Sequence, residues 1–67
     1  MTKSETLLYI FESLRVGEAI NASEYRLKYK ISKPTFFRYI KTLKKFFKER
    51  FNKSLVYDYK NKEYKIR

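Results

Sequence analysis

The sequence contains no cysteine, no histidine, a single glycine and a single proline. Without cysteine there is no disulfide to brace a small domain, and without cysteine or histidine the usual structural zinc site has no ligands. The same two absences remove the commonest general bases and nucleophiles. One glycine is too few for a phosphate-cradling loop of the Walker or dinucleotide type. Acids are scarce as well. The seven Asp and Glu residues are scattered, with no pair at a spacing that suggests a metal dyad. The chain therefore reads as a non-enzyme without cofactor or metal. Long apolar runs are also missing. Leu7 to Phe11 is cut by Glu12, far short of the roughly 20 residues of a membrane span and too short for a signal-peptide core. The corresponding expectations are a cytoplasmic, nucleoid-associated protein with no membrane partner and no evident small-molecule ligand.

What is present is charge and aromatic surface. The 67 residues imply one domain, 1–67, and 17 Lys and Arg leave a net charge of +10. The charge is uneven. Residues 1–27 are close to neutral, whereas residues 28–67 carry nearly all the excess lysine and arginine. A neutral half joined to a strongly basic half is the footprint of a polyanion binder. A lysine-rich solubilising surface is the plainer alternative, and a membrane surface the minor one. Six Phe and seven Tyr supply large buried areas to a chain too short for a generous core.

Periodicity divides the chain into six elements. Thr2 with Glu5 has the form of a capping box, and Leu7, Ile10, Phe11 and Leu14 recur at helical spacing, so a first helix runs from Thr2 to Arg15. Gly17 ends it. Ala19 and Ile20 suggest a short strand. Asn21 with Glu24 opens a second helix, about Ala22 to Lys30, with Tyr25 and Tyr29 on one face. Ser32 caps a third helix from Lys33 to about Arg50, with Pro34 in its first turn. Phe36, Ile40, Leu43 and Phe47 form its core stripe, and Pro34, Arg38, Lys41 and Lys45 lie opposite, with Lys48 beside them. Asn52 is the expected left-handed cap. Leu55, Tyr57 and Tyr59, then Tyr64 and Ile66, alternate with polar or exposed positions, which predicts a β-hairpin whose tip is Lys60-Asn61-Lys62, with Asn61 at positive φ. The predicted fold is mainly α with a small hairpin, in the order α-β-α-α-β-β.

Two helices joined by a tight turn, the second cationic on its outer face, form a helix-turn-helix unit, and the hairpin becomes a wing. In such units the second helix enters the major groove with its N-terminal residues at base edges. First-turn amides after Ser32 offer a phosphate site. Arginine can pair bidentately with guanine, while lysine acts as a point charge to phosphate. The predicted DNA contacts are Ser32, Lys33, Pro34, Thr35, Phe37, Arg38, Lys41 and Lys45 on the helix and Lys60 and Lys62 on the wing. Phe37 is either core edge or a contact to a thymine methyl.

The segment Ile31-Ser32-Lys33-Pro34-Thr35-Phe36-Phe37-Arg38-Tyr39-Ile40-Lys41-Thr42-Leu43 resembles the recognition-helix signature of bacterial winged-helix regulators of the DeoR and WYL types, and the flanking elements extend the resemblance over about residues 4–67. It implies that Ser32 and Thr35 sit near phosphate, that Arg38 faces DNA, and that the hairpin touches the backbone or minor groove. The sequence departs from the pattern at Arg26, where alanine is usual, at Lys30, where glycine or asparagine is usual, at Tyr39, where an acid is usual, and at the glycine-free wing tip. Those regulators carry a larger C-terminal ligand domain, so the expectation is a stand-alone small protein or an isolated DNA-binding domain. The leading partner is double-stranded DNA, for a bacterial or phage transcription regulator. The competing readings are a winged helix that docks an acidic protein and an RNA binder. Surplus aromatics such as Tyr9, Tyr39, Phe46 and Tyr57 fit core or rim, a homodimer surface, or least well a stacking platform for single strands.

Overall fold

A computed structural model describes residues 3–67. It contains three helices, α1 (Lys3–Arg15), α2 (Ala22–Tyr29) and α3 (Lys33–Phe51), and three strands, β1 (Ile20–Asn21), β2 (Leu55–Asp58) and β3 (Glu63–Ile66). The protein is mainly helical with a small antiparallel sheet in the order β1-β3-β2. Among the described residues, no helix is long and apolar enough to cross a membrane. The capping box expected at Thr2 lies outside the described residues.

The helix ends follow from local chemistry. Gly17 adopts φ 93 after α1. There its N–H donates to the Leu14 carbonyl and that of Glu18 to the Ser13 carbonyl, which satisfies carbonyls the helix leaves open. Asn21 caps α2 by accepting the Glu24 N–H at 3.0 Å. Asn52 closes α3 in the left-handed region. Lys30 closes α2 in the same conformation, φ 54, one that costs a non-glycine side chain about 1–2 kcal/mol.

One core joins the elements. Ile10 and Leu14 of α1, Ile20 of β1, Phe36, Tyr39, Ile40, Leu43 and Phe47 of α3, and Leu55 of β2 are all buried. Each fully buried aliphatic or phenylalanine side chain contributes about 1.5–3 kcal/mol. The predicted stripe on α3 is therefore its inner face, and Tyr39 belongs to it rather than to a rim. Among the described residues, its hydroxyl is buried without a hydrogen-bond partner, as is Nε of Arg26. Thr6 is the buried polar residue of α1. Helix α2 buries no residue fully. It is held to α1 by tyrosines: Tyr29 stacks on Tyr9 with ring centres 5.9 Å apart, and the Tyr25 hydroxyl donates to Ser13 at 3.1 Å.

The sheet differs from expectation in two places. The first strand is Ile20–Asn21, not Ala19–Ile20. Ile20 pairs with Tyr64 and Asn21 with Glu63, so Asn21 serves the sheet with its backbone and α2 with its side chain. In the hairpin, Leu55 pairs with Ile66 and Tyr57 with Tyr64, placing these apolar residues on the core side. Positive φ falls on Lys62, at 56, and not on Asn61. The reason is Asp58, whose carboxylate accepts from the Asn61 side chain at 2.8 Å and from the backbone N–H groups of Lys60 and Asn61. Asn61 is thereby committed, and the left-handed step passes to the next residue.

Candidate nucleic-acid interface

Helix α3 presents its cations by the same periodicity that buries its apolar stripe. Arg38, Lys41 and Lys45 lie opposite Phe36, Ile40 and Phe47, and all three are exposed. Pro34 continues that face toward the N-terminus and is also exposed. Among the described residues the side-chain ion pairs are Arg15 with Glu12 and Lys65 with Asp58, so none of them engages the α3 cations.

The N-terminus of α3 is more occupied than its sequence suggests. The Ser32 hydroxyl accepts the Thr35 N–H at 3.3 Å and donates to Thr35 Oγ1 at 2.9 Å. The Phe36 N–H donates to the Ser32 carbonyl, and Pro34 has no N–H. Of the first-turn amides, that leaves Lys33 to meet an anion, so the expected amide cradle shrinks to one donor. Thr35 is half-buried. Phe37 is 42% exposed; its ring packs edge-on against Phe36 at 5.9 Å, and the Lys33 ammonium stands 5.9 Å from its centre. Its contact with Phe36 places it at the edge of the core, and the rest of the ring is open to solvent.

The densest charge lies farther along. Lys41, Lys44, Lys45 and Lys48 of α3, with Lys53 and Ser54 from the following turn, surround an open cleft of about 450 Å³ whose floor is Leu55. Lysine stems can cover such an apolar floor while their ammonium groups stay in water. No carboxylate lines the cleft. Lys41 and Lys45 are among the contacts predicted from the sequence; Lys44 and Lys53 are not. Part of the signal was there, because lysines at 41, 44, 45 and 48 repeat at i, i+3, i+4 and i+7 as an apolar helical face does. A neighbouring depression runs from Lys44 past Tyr57, Tyr59 and Tyr64 toward the hairpin.

The hairpin tip is separate. Lys60 and Lys62 are exposed and neither lines the cleft. The Asp58 carboxylate fixes the turn by accepting from Lys60 and Asn61, and the same bonds, from Asn61 above all, hold it below the ordinary aspartate range. Tyr57 packs on Tyr59 and on Tyr64, each at 4.8 Å. Burial, with the neighbouring tyrosines, pushes the Tyr64 hydroxyl above its ordinary value. Tyr59 remains 84% exposed. Among the described residues no cluster of acids is placed to hold a metal ion.

The opposite flank of α3 is apolar. Phe46, Phe47 and Phe51 meet Phe11 of α1, and each of the four rings lies within 6.4 Å of the other three. Leu7, Leu8, Phe11, Thr42 and Phe46 rim a shallow groove of about 210 Å³ there.

No protein-family model, curated protein or solved structure matches the chain.

Proposed function

We propose that this protein is a winged helix-turn-helix domain that binds double-stranded DNA in a sequence-specific way, as a transcription regulator or its DNA-binding part, and acts by reading rather than by chemistry. The observation that carries the reading is the outer face of α3, where Arg38, Lys41 and Lys45 stand exposed and, among the described residues, without carboxylate partners, immediately after a two-helix turn. The element order and the sheet order β1-β3-β2 support it, as does the resemblance of residues 31–43 to DeoR- and WYL-type recognition helices. Arg38, within the second turn of α3, meets base edges in the major groove; Lys41 and Lys45 meet phosphate, and Lys60 and Lys62 touch the adjacent backbone as a wing.

Selection of bound sites from random duplex DNA, followed by a salt titration, tests this. A selected motif should emerge, and contact with about six phosphates lowers affinity roughly a thousandfold between about 50 and 200 mM salt. Failure to enrich any motif removes sequence-specific reading. Tighter binding to single-stranded or duplex RNA in competition replaces DNA with RNA.

A second reading, a protein-docking winged helix, is favoured by one feature. Leu8 and Phe46 are 63% and 39% exposed where they line the apolar groove between α1 and α3. A homodimer would use the same surface, and sedimentation equilibrium across protein concentrations reads it directly.

A further inference from the structure

Under the groove-docking reading, α3 cannot follow the groove along its whole length. Nineteen residues at a helical rise of 1.5 Å make a straight rod of about 28 Å, and the major groove, wide enough to admit a helix, curves away around the duplex. With the N-terminal turns at the base edges, Lys48 lies about 15 Å farther along the axis than Arg38. The C-terminal half of α3 must therefore leave the groove, and whatever it carries passes over the sugar–phosphate strand that bounds it. It carries the cleft of Lys41, Lys44, Lys45, Lys48 and Lys53.

We infer that this lysine cleft is a second, sequence-independent site that clamps the phosphodiester backbone of duplex DNA flanking the segment read by Arg38. The inference rests on the groove-docking reading. Three observations support it. The lysines come from two elements, α3 and the turn into β2, and their stems with Leu55 line one open depression, which leaves the ammonium ends free to reach a phosphate strand lying over it. No acidic side chain lines it, so the charge in the cleft is not neutralised from its walls. The depression that continues from Lys44 past Tyr57 and Tyr59 leads toward the hairpin tip and gives the strand a path to Lys60 and Lys62. Ser54, at the mouth of the cleft, adds a neutral donor. Lysine suits this task because a point charge on a flexible stem accepts phosphate without fixing its orientation.

The test uses the whole chain and a variant with Lys44→Gln, Lys48→Gln and Lys53→Gln. Glutamine keeps much of the stem over Leu55 and is a good helix former, and circular dichroism checks that the fold is kept. Binding of both proteins to a duplex of arbitrary sequence is measured as a function of salt. Removing one phosphate contact flattens the log–log slope by about 0.9, so the triple variant should be flatter by roughly two to three units. On a duplex selected from a random pool it should bind more weakly but keep the parent's preference over the arbitrary duplex. An unchanged slope overturns the cleft while leaving base reading by Arg38 intact. A variant that loses the preference along with the slope also overturns it, because the lysines then read bases. If the parent binds no duplex even at low salt, the cleft and the groove-docking reading both fall. A flattened slope with no enrichment of any selected motif keeps the cleft and removes specific reading alone.

Discussion

The two exposed flanks of α3 are built on one periodicity and opposite chemistry. On one, Lys41, Lys44, Lys45 and Lys48 crowd together with no carboxylate among them. On the other, Phe46 and Phe51 join Phe47 and Phe11 in a four-ring cluster. The phenylalanine flank stabilises: aromatic pairs add about 0.5–1.5 kcal/mol beyond the area they bury. The lysine flank destabilises, since like charges at i, i+4 oppose a helix by about 0.2–0.5 kcal/mol per pair. A single helix thus holds a repulsive surface in shape by anchoring its other side. A fold selected for stability alone would have no use for such repulsion, which is why the lysine flank reads as a binding surface.

Breaking the anchored side has the largest expected effect. Phe47 is 2% exposed and touches Phe11, Phe46 and Phe51, so Phe47→Ala should cost about 3–5 kcal/mol and abolish the cooperative thermal transition. A variant melting like the parent would mean that the four-ring cluster does not anchor α3. Arg38→Ala comes next and acts on function, not on the fold. It should leave the melting temperature in place and weaken binding to a selected duplex by about 1–3 kcal/mol if the contact is to a base; equal weakening on random DNA would reassign Arg38 to phosphate.

Relieving the lysine flank should move stability the other way. With about 0.2–0.5 kcal/mol of repulsion removed per pair, Lys44→Gln with Lys48→Gln should raise the melting temperature by a few degrees while weakening duplex binding. Added salt should do both in the unaltered protein, because it screens repulsion within the helix and attraction to phosphate alike. A melting temperature that falls with salt would break the contrast. The smallest effect concerns the tip of the wing. Asp58 has its carboxyl depressed in the fold, chiefly by Asn61. Its contribution is therefore complete above the ordinary aspartate range and lost as pH falls through the depressed value. Backbone amide shifts of Lys60 and Asn61 should report that loss in acid, with the helical circular dichroism unchanged; Asp58→Ala should show the loosened tip already at neutral pH.

Much of the fold was legible because its signals are local. The apolar stripes of the helices and two alternating segments placed every element to within a residue or two. The caps at Asn21, Ser32 and Asn52 are side-chain or backbone events spanning a few residues, and their residue types announce them. Lys30 stands in the left-handed region, which glycine adopts without steric cost. Lys30→Gly should be stabilising by up to about 1 kcal/mol, the relief of that conformation less the entropy glycine loses on folding.

Of the candidate site, the sequence by itself determined which face of α3 carries Arg38, Lys41 and Lys45, since a helix of known period has only one side opposite its core. It also determined the net charge and the concentration of that charge in residues 28–67. Tertiary structure alone decided the rest. Asn21 became a strand residue because Glu63, from the far end of the chain, offers its backbone. Lys62 took the left-handed step because Asp58 had already claimed Asn61. Tyr39 went inside because α3 is covered on that side as well. Lys53 came to face Lys44 and Lys48 only because the turn after Asn52 folds back to lay Leu55 against the core. Periodicity describes one element at a time; a cleft between two elements exists only once packing has set them side by side.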